Sequence, residues 1–193
     1  EANWHEATEC PLATYAPDAK GIQRAVELAG NHVRLRRTPP AERKAALVLA
    51  NYPIRDGRLA NGVGYDAPQS TVEILKALET AGYAAGHVPA DGNALIAQLQ
   101  SGPTNARPAN GESDARLSLE TYAELFAALP DRIRQEVSAR WGDPADDRFV
   151  RDGAFHLPVR LYGNVAIVLQ PSRGYDLDEA ASYHDPDLVP PHA

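Results

Sequence analysis

The segment Ala45-Ala46-Leu47-Val48-Leu49-Ala50 constrains the fold of this chain more than any other. It is a continuous apolar run between Lys44 and Asn51-Tyr52-Pro53, too short for an ordinary helix and lacking the alternation of a one-faced strand. Such a run fits a strand covered on both faces, as in parallel sheets. The next twenty residues fit the same architecture. A polar loop carrying Gly57, Gly62 and Gly64 leads to Asp66, a helix cap, with Pro68 in the first turn and Gln69 at the capping-box position. The helix it opens is expected to turn Thr71, Ile74, Leu75, Leu78 and Ala81 inward and to end at Gly82. A second strand over 83–88 and a short helix over 93–100 complete a β-loop-α-β-α unit. The expected fold class is therefore α/β, a Rossmann-like or flavodoxin-like parallel sheet unit with flanking helices and an added β-hairpin.

The remainder divides by its punctuation. Residues 1–43 read as a helical lead-in, with a helix capped by Asp18, running to about Arg37 and stopped by Thr38-Pro39-Pro40. Residues 44–100 form the core unit. Gly102, Pro103, Asn105, Pro108, Asn110 and Gly111 mark 101–117 as a flexible linker. Residues 118–193 hold two helices, over 118–128 and 131–141, capped by Ser118 and Asp131 and divided by Pro130. A hairpin of 155–161 with 164–170 comes next, turning at Gly163-Asn164, and then an Asp/His/Pro-rich tail. A single cysteine, Cys10, excludes an internal disulfide framework and a zinc site built of several thiolates. With Lys+Arg 19 against Asp+Glu 26, the net charge of -7 argues against nucleic acid as a partner. No apolar stretch approaches the roughly 20 residues of a membrane helix. The first residues, with His5, Glu6 and Glu9, make no secretory signal, so the cytoplasm is the expected compartment. The chain starts at Glu1 and has no methionine, and it reads as a piece of a longer polypeptide.

Two stretches carry candidate chemistry. The loop 51–66 lies between a strand's carboxyl end and a helix N-terminus, where α/β proteins place ligands. Gly62-Val63-Gly64-Tyr65-Asp66-Ala67 scans as a dinucleotide fingerprint, but its glycines lie too far beyond the strand, and Asp66 would repel a pyrophosphate. The glycines also fit a long loop that needs positive φ. Arg55, Arg58, Asn51 and Asn61 can clamp carboxylates or amides there. The second stretch is the tail His184-Asp185-Pro186-Asp187-Leu188-Val189-Pro190-Pro191-His192. Its imidazoles and carboxylates suit a divalent first-row metal, while Asp and Pro are equally ordinary turn residues. Gln170 and Arg173, in the turn Gln170-Pro171-Ser172-Arg173-Gly174-Tyr175, are further polar arms at a strand end.

Taken together these motifs resemble one family. The run from Asn51 through Asp56-Gly57-Arg58-Leu59-Ala60-Asn61-Gly62-Val63-Gly64 to Pro68 is similar to the large subunit of aerobic cobaltochelatase, the CobN family. That family is related to the large porphyrin-binding subunit of magnesium chelatase. Phe149-Val150-Arg151-Asp152-Gly153, Gly163-Asn164-Val165, Gln170 to Tyr175 and Tyr183 to His192 agree in order. The resemblance implies insertion of cobalt, as substrate metal, into the metal-free corrinoid hydrogenobyrinic acid a,c-diamide during cobalamin biosynthesis. It implies ATP and Mg used not here but by an AAA+ ATPase partner and its companion subunit. The chemistry of the residues is compatible with that reaction, and substrate binding is expected of Asn51, Arg55, Arg58, Asn61, Gly62, Gly64, Gln170 and Arg173. His184, His192 and Asp185 would be catalytic, and His184, His192 and Asp187 would be transient metal ligands. The family's chain continues past the last histidine into a further motif, so the fragment alone is expected to be inactive. Three other readings stand beside this one: a scaffold domain docking the ATPase partners, a magnesium-chelatase-type porphyrin module, and an unrelated nucleotide-binding domain.

Overall fold

The structure, a computed structural model, describes residues 2–13, 15–51, 59–62, 64–175, 185 and 187–193. Its contacts divide the chain into two compact units, Glu1–Pro39 and Pro40–Ala193. The first unit contains a hairpin that the sequence pattern does not announce, β1 (Ala2–His5) antiparallel to β2 (Cys10–Ala13). Its helix α1 (Ala19–Arg37) is the one expected. The Asp18 carboxylate accepts the Lys20 N–H, and Arg34, Arg36 and Arg37 sit against the negative end of the helix dipole.

In the second unit β3 (Ala45–Leu49) is the anticipated strand, but its parallel partner is not the segment 83–88. It is β8 (Val165–Leu169), which pairs on its other side with antiparallel β7 (Val159–Tyr162), giving the order β3–β8–β7. Residues 83–88 form no strand because their backbone groups are bonded elsewhere. Tyr83 N–H closes the end of the preceding helix on Leu78 C=O, and Ala84 C=O accepts from Asn164 N–H at 2.7 Å. That bond locks the hairpin turn onto the segment. Gly163, at φ 57°, lies so close that a Cβ there would sit 2.3 Å from Ala84 O.

Helix α2 (Ala67–Thr80) begins as expected, with Asp66 accepting the Gln69 N–H at 3.0 Å. Its inward face is rotated by about one residue from the expected one. Thr71, Val72 and Leu75 are buried, and Ile74 is 42% exposed. Gln69 does not close a capping box. Its Oε1 accepts the N–H of Gly92, the first residue of α3 (Gly92–Ser101), and so ties the two helices together. Leu49, Val165, Ile167 and Leu169 from the sheet meet Val72, Leu75, Leu95 and Leu99 from these helices in one core. Each fully buried aliphatic side chain contributes roughly 1.5–3 kcal/mol relative to exposure.

A second small sheet joins β4 (Arg116–Ser118), β5 (Val150–Arg151) and β6 (Ala154–His156), all antiparallel, in the order β4–β6–β5. The single strand expected over 155–161 is thus two strands in two sheets. Pro158, which has no N–H, falls at the break, and Leu157 N–H bonds to Ala115 C=O. The stretch read as a flexible linker carries its own hydrogen bonds. Asn110 Nδ2 donates to Gln100 and Gly102 carbonyls, and Arg151 donates to those of Ala109 and Gly111. Helices α4 (Leu119–Ala127) and α5 (Asp131–Trp141) flank Pro130. Ser118 caps α4, whereas Asp131 is already the first helical residue of α5 and caps nothing. The result is a mixed α/β fold with several small sheets. No helix among the described residues is long and apolar enough to cross a membrane.

Candidate functional site

Because β3 and β8 run parallel, Asn51 and Gln170 follow the same carboxyl edge of the sheet. Gln170 N–H extends the ladder by one bond, to Leu49 C=O at 2.9 Å, and its own C=O accepts from Asn105 Nδ2 at 2.8 Å. Asn51 is only 6% exposed, and its Oδ1 has no hydrogen-bond partner among the described residues. Burying an amide oxygen without a donor costs about 1–3 kcal/mol.

The far half of the loop is anchored. Leu59 and Ala60 are buried in the core cluster, and Ala60 takes a positive φ of 56° to get there. Gly62 C=O then accepts the Tyr65 N–H, with Gly64 at φ 75° between them. A Cβ on Gly62 would lie 2.7 Å from the Tyr65 ring. Both glycines thus serve this turn, and Asn61 stands exposed at its start. Arg55 and Arg58 lie outside the described residues, as does His184.

The turn after Gln170 is tied to the tail. Arg173 donates to Asp185 C=O at 3.3 Å, and Asp185 Oδ1 accepts the Asp187 N–H at 2.9 Å, leaving both acidic side chains on the surface. His192 is buried instead against α4. Its Nε2 lies 3.1 Å from Gly142 O, which can only accept, so Nε2 carries the proton. Nδ1 then accepts from the Tyr122 hydroxyl at 2.7 Å. Both ring nitrogens are engaged, and Tyr122 and Phe126 pack edge-on against the ring. Among the described residues there is no group of three or more His, Cys, Asp or Glu that could hold a metal ion.

Sequence reading missed a knot formed around Asp147. Its buried carboxylate accepts from Phe149 N–H at 2.9 Å, from the Tyr175 hydroxyl at 3.0 Å and from Ala193 N–H at 3.3 Å. Burial, reinforced by the adjacent Asp147 carboxylate, pushes the Tyr175 phenol well above its usual range. Burial does the same, more modestly, to Tyr122. Both phenols are therefore fixed donors and not proton acceptors at neutral pH. Trp141 packs edge-on to Tyr175 at 5.3 Å and donates to Val189 C=O at 2.9 Å. An apolar cavity of about 140 Å³ opens beside Tyr175, Phe149, Pro171 and Asn105. Asn105 was likewise missed as a site residue, although Thr104-Asn105 between two prolines is a turn signal.

Fold and site together define a mixed α/β module that places Asn51 and Gln170 at the carboxyl edge of a parallel strand pair. The CobN/Magnesium Chelatase family model matches residues 1–193, and the chain belongs to that family. It is 50% identical over 184 residues to the aerobic cobaltochelatase subunit CobN of Sinorhizobium sp, covering 95% of this chain and 14% of that protein. To the same-named subunit of Pseudomonas aeruginosa it is 46% identical over 193 residues, 97% of this chain and 15% of the relative. Among solved structures, the catalytic subunit of cobaltochelatase from Mycobacterium tuberculosis superposes with a TM-score of 0.74 at 35% identity, over 93% of this chain and 15% of that one. The chain thus spans about one seventh of the length of these relatives.

Proposed function

We propose that this chain is a tetrapyrrole-facing module of the large subunit of a cytoplasmic, ATP-dependent cobaltochelatase. In this reading cobalt is the substrate metal and hydrogenobyrinic acid a,c-diamide, a metal-free corrinoid, is the acceptor. ATP and Mg are used by an AAA+ subunit and its companion, not by this chain. The observation that carries the assignment is the 46–50% identity to subunits named for aerobic cobaltochelatase across nearly the whole chain.

Metal insertion requires a surface that holds the macrocycle's rim, groups that replace the metal's water, and a base for the two pyrrole protons. The rim of a corrinoid bears carboxylates and carboxamides. Asn51, Asn61 and Gln170 are assigned to the amides, Arg55, Arg58 and Arg173 to the carboxylates, and Gly62 and Gly64 to the shape of the loop. The strand β3, this loop and α2 act as the Rossmann-like element, binding at the strand's carboxyl end. The Oδ1 of Asn51, unpaired among the described residues, supports this, since a ligand carboxamide N–H supplies such a donor. His184 with Asp185 or Asp187 is assigned to transient metal ligation and proton transfer. His192 enters that role only by giving up its bond to Gly142 or Tyr122.

The test is cobalt insertion by the full-length subunit with its ATPase partners. Asn51→Ala should lower kcat/KM at least about tenfold, the loss of one buried hydrogen bond to the substrate. An unchanged value removes the loop from the substrate site. His184→Ala should lower kcat with KM little altered, and an unchanged kcat removes it from metal handling.

A further inference from the structure

Strand β3 is an edge strand without the features that normally protect one. In its parallel ladder Ala45 N–H donates to Asn164 C=O at 3.0 Å, and Leu49 C=O accepts from Gln170 N–H at 2.9 Å. A parallel pairing uses both backbone groups of alternate residues on one side. Residues 45, 47 and 49 therefore face β8, and Ala46 and Val48 direct their N–H and C=O groups to the open edge. Among the described residues of this unit nothing bonds to them. Natural edges are blunted by Lys, Pro, bulges or inward charges. Ala45-Ala46-Leu47-Val48-Leu49 has none of these.

The outer face of the same sheet is apolar and only partly covered by the described residues. The registers align Ala46, Ala166 and Leu161 in one row across the strands, and Val48, Val168 and Val159 in the next. All are apolar. Val48 is 62% exposed and Leu161 49%. The second row continues into the apolar cavity beside Tyr175. Parallel strands are ordinarily covered on both faces, and an apolar run such as β3 is the sequence mark of that burial.

We infer that β3 is an interior strand of a larger sheet. A strand–helix segment of the longer polypeptide, from outside these 193 residues, pairs with Ala46 and Val48 and lays an apolar helix face over the two rows. The relatives supply the material, since this chain spans only 14–15% of their length. A second copy is the alternative occupant, one that dilution would remove.

Residue-resolved hydrogen exchange on the full-length subunit tests this. The amides of Ala46 and Val48 should exchange as slowly as those of Leu47 and Leu49, within about threefold, because all four are then bonded. In the same protein Val48→Lys should release Ala46 and the mutated position by about 100-fold while Leu47 and Leu49 stay protected by β8. Alternation in the unmutated subunit, with the even positions about 100-fold faster than the odd ones, would overturn the inference. So would even-position protection that disappears on dilution, because it would assign the edge to a second copy.

Discussion

Asn51 and Asn105 are the same residue type at nearly the same burial, 6% and 5% exposed, and the structure expects opposite results from replacing them. Truncation to alanine removes three side-chain atoms in each case, a loss of contacts of about 1 kcal/mol. At Asn105 it also strips the Gln170 carbonyl of its donor, costing roughly 1–3 kcal/mol more. At Asn51 it removes an oxygen that has no partner among the described residues and so relieves roughly 1–3 kcal/mol of desolvation. Asn51→Ala should therefore leave the unliganded protein unchanged or up to about 2 kcal/mol more stable, and Asn105→Ala should destabilise it by about 2–4 kcal/mol. With a urea dependence of about 2 kcal/mol per molar, the two midpoints should differ by at least about 1 M. Equal losses of stability would refute the reasoning, because they would mean that the Asn51 oxygen is satisfied in the folded state. The gain at Asn51 should be accompanied by weaker ligand binding, as expected of a residue whose unpaired atom serves a ligand.

Other consequences are as direct. Gly163→Ala should cost about 2 kcal/mol or more, read by urea denaturation, since its Cβ would meet Ala84 O at a φ that disfavours alanine. His192→Ala should lower stability by about 2–4 kcal/mol in metal-free buffer, because it leaves the Tyr122 hydroxyl and Gly142 carbonyl unpaired; an unchanged midpoint would contradict the packing described. The raised Tyr175 phenol makes stability fall as pH rises above about 10, where the unfolded tyrosine releases a proton that the folded one keeps; below that pH its contribution is constant. Tyr175→Phe should flatten this alkaline decline in unfolding midpoints measured across that range.

Local signals in the sequence were legible where the chain's own backbone decides the outcome. Asp18, Asp66 and Ser118 cap the helices they precede, and the apolar run of β3 is a strand. Pairing was not legible, because it depends on residues far apart. Residues 83–88 have a strand-like composition, yet the hairpin turn at Gly163 takes their carbonyl, and β8 takes the place beside β3. The β1–β2 hairpin has no Asn-Gly turn signal to announce it. The candidate site divides the same way. Strand-end positions Asn51 and Gln170 are found by their place after apolar runs. Asp147, Tyr175 and the buried setting of His192 come together only through tertiary contacts with the tail. A histidine in a run of Asp and Pro looks like a ligand in one dimension, and the Tyr122–Phe126 face that receives it is about 70 positions away in sequence.

The central claim is that this module meets the corrinoid. The most direct measurement is a titration of the purified chain, carrying Trp4→Phe, with metal-free corrinoid while the remaining indole fluorescence is followed. Trp141 packs against Tyr175 beside the apolar cavity, so a ligand on the loop after β8 lies close enough to quench it. The account predicts saturable quenching by the corrinoid, weakened by Asn51→Ala and not reproduced by ATP. Quenching by ATP alone, or no saturable response from a chain shown by circular dichroism to be folded, would contradict it.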